Sequence, residues 1–489
     1  MEISKENLIN KYSKALDTGS AAVFAGAGIS RPAGYVDWKG LLRNAAEQIH
    51  LDVDKEKHDL VSLAQYYFNK CNGRGGLNEI IVDEFGGDAK PTKNHELLAK
   101  LPIDTFWTTN YDCLIEEALR NVGKKAEIKT KDKQLQISKP NIDAIVYKMH
   151  GDIDDVNEAI ITRDDYEKYG MTHPLFREVL DGNLLTKTFL FLGFSFTDPN
   201  LDYVLGRIRM LLNKSTRPHY CIIKTVSEED FKVDGELVKE DYQYAQIKQR
   251  LQIEDLARFG IQTCLVDEYD EITDILSVLL KRYKRQTVFI SGSAEVYEPF
   301  TEKQAGLFLH NLASGLVKKG YRIVTGFGKG IGSYVVNGAL EYCFDRPEIT
   351  MDHCIRMMPF PQSESGGIST YELRQKYRNE LISDAGISLF VFGNKYEDEK
   401  LILAPGVLEE YKIALQNNSI VLPIRWTGYI SQELYDSTME NMKSISMEKN
   451  YENALIQCGK KSEEVITDKM INSLVDEVLS AVDLMNQFI

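Results

Sequence analysis

Hydrophobic and polar positions alternate along the chain in blocks that predict helices and short buried strands in turn. An amphipathic pattern over Lys5–Asp17 predicts a helix, and the apolar run Ala21–Ala25 predicts a strand that ends in the turn Gly26-Ala27-Gly28. Further strand-sized runs are Thr105–Thr108, Ala144–Met149, Thr188–Phe194, Tyr220–Ile223 and Gln262–Val266. Helical patterns between them include Trp38–Ile49, Leu60–Phe68 and Asp112–Leu119. Strands that alternate with helices are typical of a doubly wound, mostly parallel sheet.

A second unit of the same kind follows. The chain is highly polar and lacks strand character over Ser227–Arg250, and an amphipathic helix is predicted over Asp270–Tyr283. The strands predicted after it are Thr287–Ile290, Tyr321–Thr325, Ile355–Pro359, Ile387–Phe392 and Ile420–Pro423. The helices are Glu302–Lys319, Tyr334–Tyr342, Tyr371–Ile382 and Val407–Gln416. We predict two Rossmann-like α/β domains with doubly wound parallel sheets, residues 1–285 and 286–489, with a helical side lobe between Asn44 and Leu101.

Charge and cysteine content narrow the possible functions. The chain has 58 basic and 73 acidic residues, a net charge of −15, which repels phosphate backbones and anionic lipids, so we expect neither nucleic acid nor a membrane as partner. The seven cysteines are scattered without a C-x-x-C pair, which argues against a disulfide framework or a metal site and favours a reducing cytoplasm. The best apolar run, Thr188–Phe196, is strand-sized, and Met1–Asn10 lacks a signal-peptide core. We therefore expect a cytoplasmic protein.

The turn after the first strand is a candidate nucleotide-binding loop. Its residues are Ala25, Gly26, Ala27, Gly28, Ile29 and Ser30. Glycines at such a turn let backbone N–H groups approach a pyrophosphate, and the start of a helix adds partial positive charge. The same Gly-x-Gly pattern also serves ordinary tight turns.

Polar residues follow three later strands, at the edge where open α/β sheets bind ligands. They are Asn110 and Asp112, then His150, then Gly193, Ser195 and Phe196. Each also has an ordinary interpretation, because Asn110 and Asp112 can cap a helix, His150 can be a hydrogen-bonded core histidine, and Ser195 can be a turn residue. Their order along the chain favours one shared cleft.

These residues resemble the sirtuin catalytic domain over roughly Glu6–Val266. Four segments carry the resemblance. The first, Gly26-Ala27-Gly28-Ile29-Ser30, matches the sirtuin opening, and the second, Thr109-Asn110-Tyr111-Asp112, is similar to the sirtuin segment Thr-Gln-Asn-Ile-Asp. The third, His150-Gly151, is similar to the catalytic His-Gly, and the fourth, Gly193-Phe194-Ser195, to the Gly-Thr-Ser nucleotide loop. The two C-x-x-C pairs of the sirtuin zinc ribbon have no counterpart in this sequence, and residues 31–38 replace the loop Gly-Ile-Pro-Asp-Phe-Arg. The resemblance therefore implies an NAD cleft, and acyl-lysine deacylation is the weakest choice.

Such a cleft retains the chemistry of cleaving the bond between nicotinamide and ribose. Positive charge develops on the anomeric carbon, and water is the acceptor when no acyl peptide is bound, so the products are nicotinamide and ADP-ribose. Asn110 is a candidate for holding that water or a ribose hydroxyl, and His150 for accepting a proton. Asp112 is a candidate for orienting the ribose or for capping its helix.

The second unit carries a candidate site for a phosphorylated ligand. Its residues are Ser291, Gly292 and Ser293 at the end of a strand, and Gly328, Gly330 and Gly332 before a helix. Two cations are expected at the rim of the same site, Arg378 from a helix and Lys395 from a strand end. Glycines at alternate positions suit a phosphate cradle. A flexible loop and unrelated surface charges remain the ordinary interpretation of the same residues.

This unit resembles the SLOG family of nucleotide sensors, which is related to phosphoribohydrolases. Those enzymes carry Pro-Gly-Gly-x-Gly-Thr-x-x-Glu, whereas this chain has Pro405-Gly406-Val407-Leu408-Glu409-Glu410 without the further glycines and the threonine. The resemblance implies a binding module in which Glu410 meets a ribose.

A sirtuin-like domain followed by a SLOG domain resembles the ThsA effector family of Thoeris anti-phage systems over essentially the whole chain. That family implies NADases that are switched on by a cyclic ADP-ribose isomer, made by a TIR-domain partner protein. Asn110 and His150 match its catalytic pair, and Arg378, Lys395 and Glu410 match its signal-binding residues. The resemblance also implies a homotetramer, built mainly through the sirtuin-like domain, to which the apolar helical faces of the side lobe would contribute. A nucleotide sensor without catalysis and a phosphoribohydrolase acting from the second unit remain alternatives.

Overall fold

The computed structural model describes residues 2–55, 59–137, 139–194, 196, 205–206, 217–233, 235–344, 346, 350–361, 367, 369–443, 449–459 and 466–486. The chain divides into two compact units, Met1–Leu280 and Lys281–Ile489. The division falls inside the helix Asp270–Arg285, whereas the sequence analysis places it at the end of that helix.

The first unit is built on a parallel sheet. Its strands are β1 (Ala21–Ala25), β2 (Thr105–Thr108), β3 (Ala126–Lys129), β4 (Ala144–Lys148), β5 (Thr188–Leu192) and β6 (His219–Lys224), and after the short pair β7 (Lys232–Val233) and β8 (Glu236–Leu237) comes β9 (Ile261–Val266). Within the described residues the sheet order is β3-β4-β2-β1-β5-β6-β9. β1 and β5 are buried along their whole length, which explains why both are continuous apolar runs. The chain leaves β1 in one direction and returns to its other side at β5, so a topological switch point lies between these two strands.

Helices cover both faces of this sheet and form the predicted side lobe. They are Lys5–Asp17, Trp38–Gln48, Leu60–Lys70, Gly75–Phe85, Lys93–Lys100, Leu114–Asn121, Asp132–Leu135, Arg163–Thr172, Pro174–Thr186, Lys239–Arg258 and Asp270–Arg285. Apolar residues of the lobe, such as Ala46, Leu63 and Ile81, are buried in one cluster with Tyr111 and Ile161. The apolar helical faces that the sequence offered for oligomerisation are therefore largely used inside the lobe, against the segments that follow β2 and β4.

The second unit repeats the doubly wound plan on a smaller parallel sheet. Its strands are β10 (Thr287–Ser293), β11 (Arg322–Thr325), β12 (Ile355–Met357), β13 (Ile387–Phe392), the hairpin β14 (Asn394–Glu397) and β15 (Lys400–Leu403), and β16 (Ile420–Pro423). Within the described residues the main sheet has the order β12-β11-β10-β13-β16, which places the switch point between β10 and β13. The helices are Glu302–Lys318, Gly332–Phe344, Met351–Cys354, Thr370–Ser383, Pro405–Gln416, Tyr429–Lys443, Lys449–Gly459 and Asp468–Leu484.

Three features differ from the sequence-based expectation. The polar stretch Ser227–Arg250 was expected to lack strands, but it contains the short antiparallel pair β7–β8 and the first part of the long helix Lys239–Arg258. The antiparallel hairpin β14–β15 follows β13. Cys343 and Cys354 form a disulfide, while the other five cysteines are free thiols. Two consecutive helices bring this pair together, a proximity that spacing along the sequence does not disclose.

In the described part of the chain, no helix is both long enough and apolar enough to span a lipid bilayer.

Candidate functional site

The turn after β1 packs backbone to backbone against the turn after β5. A Cβ atom on Gly28 would lie 2.7 Å from Cα of Gly193, and a Cβ atom on Gly26 would collide with the Gly193 carbonyl. Gly193 has φ +63°, a left-handed conformation that favours glycine. The two turns meet at the switch point of the sheet, and a side chain on any of these glycines would collide with the backbone of the facing turn.

This packing changes the expected role of the glycine N–H groups. The N–H of Gly26 donates to the carbonyl of Leu192 at 2.9 Å, and that of Gly28 to the carbonyl of Gly193 at 3.0 Å. The turn continues as two short 3-10 segments, Ala27–Ile29 and Arg31–Ala33, and not as an α-helix. The expectation that a helix dipole acts at this turn is therefore wrong. The N–H groups of Gly26 and Gly28, which were expected to bind phosphate, already donate to carbonyls at the end of β5 and in the turn after it.

Asn110 joins the segment after β2 to the turn after β1. Its side-chain Nδ2 donates to the carbonyl of Gly26 at 3.2 Å and to the hydroxyl of Ser30 at 3.1 Å, and its backbone N–H donates to Oγ1 of Thr108 at 3.0 Å. Asn110 is 8% exposed. Both amide hydrogens have acceptors in the protein, so the acceptor oxygen Oδ1 is the chemically useful end of this side chain.

Asp112 combines the capping role with a further feature. Its Oδ1 accepts from the N–H of Leu114, at the start of the helix Leu114–Asn121, at 3.1 Å. Its Oδ2 is buried and has no hydrogen-bond partner among the described residues. A buried carboxylate oxygen without a partner costs free energy unless a ligand or water meets it.

His150 lies two residues after the end of β4 and is buried. Its Nε2 is 3.3 Å from the hydroxyl of Tyr166, and the two rings meet edge to face with centroids 5.5 Å apart. Tyr166 belongs to the helix Arg163–Thr172. Tyr166 is not identifiable from the sequence, because a tyrosine on a helix carries no signal that separates it from a packing residue.

A second residue that the sequence analysis missed is Lys148, the last residue of β4. Cys113, Glu116 and Asp152 bring one potential metal ligand each within 4.8 Å of one another. The ammonium of Lys148 lies among them, 3.2 Å from Glu116 and 2.7 Å from Asp152. A cation of the chain itself therefore offsets part of the negative charge of this group, and burial raises the pKa of the Cys113 thiol to about 12, despite the opposing influence of Lys148.

The remaining predicted residues of this unit follow β5. Ser195 lies outside the described residues. Phe196 has φ +57°, and its ring packs 5.0 Å from Phe191 and 5.3 Å from Phe194. Ala25 ends β1, so the structure gathers Ala25, Ser30, Asn110 and Gly193 at one edge of the sheet.

In the second unit, Glu410 lies between Ser291 and Arg378. Its Oε2 accepts from the Ser291 hydroxyl at 2.5 Å, and its Oε1 accepts from Nε of Arg378 at 3.4 Å. Glu410 is buried, and burial raises its pKa while Ser291 and Arg378 oppose the shift. Arg378 also bonds Glu409 through Nη1 at 3.1 Å. The structure thus joins three of the predicted ligand-binding residues, and both carboxylate oxygens of Glu410 contact the protein itself.

The glycine loop of this unit packs against the end of β10. Cβ atoms on Gly328 and Gly330 would collide with the carbonyls of Gly292 and Ala294. Ser293 donates through Oγ to the carbonyl of Asn394 at 3.0 Å. As in the first unit, the glycines allow a close approach of two backbone segments beside the switch point.

Lys395 differs from its expected place at a strand end. It lies inside β14 of the hairpin, and its ammonium pairs with Glu397 at 3.2 Å with the side chain 38% exposed. Arg378, expected at the rim with Lys395, has a side chain only 10% exposed. The polar hairpin carries Lys395 outwards, whereas the two glutamates hold Arg378 in the interior.

Comparisons with known proteins agree with this architecture. A model described as the Sir2- and TIR-associating SLOG family matches residues 271–481, and a SIR2-like domain model matches residues 104–245. The NAD(+) hydrolase ThsA of Enterococcus faecium is 46% identical over 98% of this chain and 99% of its own. Those of Cytobacillus dafuensis (44%, over 90% of each chain) and Bacillus cereus strain MSX-D12 (42%, over 97% of this chain and 98% of its own) are similar too. Because these three hydrolases are 42–46% identical to this chain over at least 90% of both chains, the protein belongs to the ThsA family of NAD(+) hydrolases.

Proposed function

We propose that the first unit hydrolyses NAD at the edge of the sheet formed by the ends of β1, β2, β4 and β5. The observation that supports this most is the bonding of Asn110 to Gly26 and Ser30, at the switch point where α/β sheets bind nucleotides. His150 follows the neighbouring strand β4. NAD is the substrate, and the proposed chemistry uses the side chains of the chain without a metal.

Asn110 and His150 have separate roles in this proposal. Oδ1 of Asn110 accepts a hydrogen bond from the attacking water or from a ribose hydroxyl. The water oxygen bonds to the anomeric carbon, the bond to nicotinamide breaks, and its electron pair leaves with the nicotinamide nitrogen. The proton lost by the water passes to the imidazole of His150, whose ring Tyr166 orients through its hydroxyl at Nε2. Asp112 contributes its buried Oδ2 to a ribose hydroxyl.

The second unit, in this proposal, binds the signal that controls the first. A cyclic ADP-ribose isomer carries two phosphates, for which Arg378 is a fork-shaped partner and Lys395 a point charge. Ser291, Ser293 and the glycine loop provide polar and backbone contacts, and Glu410 an acceptor for ribose. The name of the matching family, Sir2- and TIR-associating SLOG, supports a TIR-domain partner as the source of this signal. Depletion of NAD would then serve bacterial anti-phage defence in the cytoplasm.

We further propose a homo-oligomer, a tetramer by family resemblance. The support from the chain itself is an apolar stripe on the helix Lys239–Arg258. Tyr244, Ile247 and Leu251 lie at helical spacing on it and are 69%, 52% and 54% exposed. A stripe of this kind, on a helix whose other side already packs through Ile253 and Leu256, suits a second copy of the chain.

The experiment is NAD consumption by the pure full-length chain, with and without a panel of cyclic ADP-ribose isomers. We expect nicotinamide and ADP-ribose as products, and stimulation by one isomer. Binding of NAD without release of nicotinamide would instead support the sensor alternative. Release of base from nucleoside monophosphates by an Asn110→Ala variant would support a phosphoribohydrolase in the second unit.

A further inference from the structure

Lys148 is a fully buried lysine, and its ammonium makes several close contacts. The side chain is 0% exposed. Nζ pairs with Asp152 at 2.7 Å and Glu116 at 3.2 Å, and it donates to the backbone carbonyls of Tyr111 at 3.1 Å and Asp112 at 2.8 Å. Burial lowers the pKa of Lys148, but the two carboxylates outweigh that effect, so its pKa is raised and the ammonium stays charged.

These contacts connect the segments that carry the proposed catalytic residues. Tyr111 and Asp112 follow Asn110 in an irregular stretch after β2, and the Tyr111 carbonyl also accepts from the N–H of Ile153 at 3.1 Å. Asp152 stands two residues after His150, and Lys148 itself stands two residues before it. Lys148 also pairs in register with Thr108, the last residue of β2. One ammonium therefore links the backbone beside Asn110 to the backbone on both sides of His150.

We propose that Lys148 is a positioning residue for NAD cleavage, holding the segments of Asn110 and His150 in register through its bonds to Tyr111, Asp112 and Asp152. This inference rests on the proposed function, because it assumes that Asn110 and His150 act on NAD. Positioning within a fraction of an ångström matters, since a misplacement of about 1 Å costs roughly 100-fold in rate.

Substitutions of Lys148 and of a carboxylate beside it separate the effect of Lys148 on stability from its effect on positioning. A Lys148→Met variant leaves two buried carboxylates without their cation, and we expect its melting temperature to fall by roughly 10 °C. In the double variant Lys148→Met/Glu116→Gln one of those charges is removed, so much of the stability returns. Methionine has no proton to donate, so both variants lose the bonds from Lys148 to the carbonyls of Tyr111 and Asp112, while the Tyr111 carbonyl still accepts from the N–H of Ile153 at 3.1 Å.

The experiment compares kcat and KM for NAD with melting temperature in the full chain, under conditions in which the unmodified chain hydrolyses NAD. For the double variant we expect a kcat lowered about 100-fold, a KM changed much less, and a melting temperature well above that of Lys148→Met. Recovery of kcat together with the melting temperature would overturn the positioning role and leave Lys148 a structural residue. If Lys148→Met alone does not fold, the double variant still decides the question. If neither folds, Lys148 is needed for folding itself, and the positioning role is rejected.

Lys129 provides a matched control in the same sheet. It is buried at the end of β3, with its side chain 4% exposed beside Glu127 at 3.4 Å, and its ammonium donates to the carbonyls of Gln134 at 2.8 Å and Ile137 at 2.5 Å. We expect Lys129→Met to lose stability with kcat unchanged. An equal fall of kcat in this control would also overturn the inference. A parallel Asn110→Ala variant separates the two proposals, because turnover that survives this substitution contradicts the proposed function and not only the role of Lys148.

Discussion

The side-chain amide of Asn110 donates to the hydroxyl of Ser30 at 3.1 Å. Asn110 follows β2, and Ser30 follows the glycine turn after β1, so this bond joins the ends of two neighbouring strands. The amide also reaches the carbonyl of Gly26. The two bonds orient the acceptor oxygen of Asn110. The orientation of this side chain therefore depends on the segment after β1 as well as on the segment after β2.

The first prediction follows from this pair of bonds. We expect Asn110→Ala to lower NAD turnover by about 10²–10⁴, the scale of a lost catalytic group. Ser30→Ala should cost only about 3–10-fold, the equivalent of one ordinary hydrogen bond, because the bond to Gly26 remains. The measurement is kcat for NAD, with thermal unfolding to confirm that both variants fold. A larger loss for Ser30→Ala than for Asn110→Ala would contradict this assignment.

The second prediction concerns the packed glycines. Gly28→Ala would place a Cβ atom 2.7 Å from Cα of Gly193, and Gly193→Ala would in addition strain a residue at φ +63°. We expect each to destabilise the first unit by about 1–3 kcal/mol and to lower NAD turnover. Gly182 is the control, since it lies in the helix Pro174–Thr186, where an added Cβ would have no atom of another described segment within 4 Å.

Gly182→Ala should be neutral or stabilise the protein by up to about 1 kcal/mol, because alanine favours a helix. Urea unfolding of the three variants measures these differences. Equal stability of Gly28→Ala and Gly182→Ala would show that the two turns relax apart without cost.

Strands that are fully buried were predicted well from the sequence. The bounds of β1, β2, β13 and β16 agree with the structure, because a strand covered on both faces is a continuous apolar run between polar turns. β3 was missed since it carries Glu127 and Lys129, whose buried charges interrupt the apolar pattern. The hairpin β14–β15 is short and polar, so nothing in its composition separates it from a loop.

The sequence indicates the position of polar residues that closely follow strands, as with Asn110 and His150, two residues after the ends of β2 and β4. It does not indicate a neighbour that acts through three-dimensional contact. In the sequence, Lys148 resembles any lysine at the end of a strand. Only the fold brings its ammonium close to Glu116, Asp152 and the carbonyls of Tyr111 and Asp112. The sequence-based view of Arg378 as a rim cation failed for the same reason, because its burial depends on glutamates from another helix.

The third prediction is a loss of stability in acid caused by buried histidines. Burial lowers the pKa of His95 to about 4 and that of His219 to about 3. Below pH 6.5 the unfolded chain binds a proton at each of them that the folded chain does not, so stability falls as the pH drops from 6.5 towards these values. The slope is about 1.4 kcal/mol per pH unit for each histidine.

The variant His95→Gln tests this expectation, because glutamine does not titrate and still offers an acceptor to the backbone N–H of Thr92, which His95 Nδ1 now meets at 3.2 Å. Urea unfolding between pH 4.5 and pH 6.5, on the order of the window set by these pKa values, should show a slope smaller by about 1.4 kcal/mol per unit. His50→Gln, at an exposed position, should leave the slope unchanged. An unchanged slope in His95→Gln would refute the prediction.

The fourth prediction tests the proposed oligomer. Leu251 is 54% exposed in the stripe with Tyr244 and Ile247, so a charge there costs a monomer little. We expect Leu251→Glu to shift the full chain to a smaller species in light scattering, because a carboxylate would be buried in the interface without a partner. Ile456→Glu is the control, since Ile456 is 48% exposed and lies outside that helix. The same mass for Leu251→Glu and the unmodified chain would exclude the stripe as the interface.

The last prediction concerns competition for Arg378. Glu409 pairs with its Nη1 at 3.1 Å and also accepts a hydrogen bond from Gln375, so an anionic signal has to displace a carboxylate that the protein already provides. We expect Glu409→Gln to bind the activating cyclic ADP-ribose isomer about tenfold more tightly, a difference of about 1.4 kcal/mol. Arg378→Ala should abolish activation while basal NAD cleavage remains, since Asn110 and His150 lie in the other unit.

Gly406 tests the same geometry without changing charge, because a Cβ atom there would lie 2.8 Å from Nη2 of Arg378. Gly406→Ala should therefore weaken the response to the signal by moving the guanidinium. Arg425→Ala, which removes an arginine paired with Asp436 at 3.0 Å in the same unit, serves as the control for a general loss of positive charge. Calorimetry of the full chain with the isomer panel, followed by NAD turnover, measures binding and activation separately. If the isomer concentration that activates the unmodified chain also activates Arg378→Ala, the signal binds elsewhere. If Glu409→Gln binds the isomer more weakly, Glu409 is part of the binding site and does not compete with the isomer for Arg378.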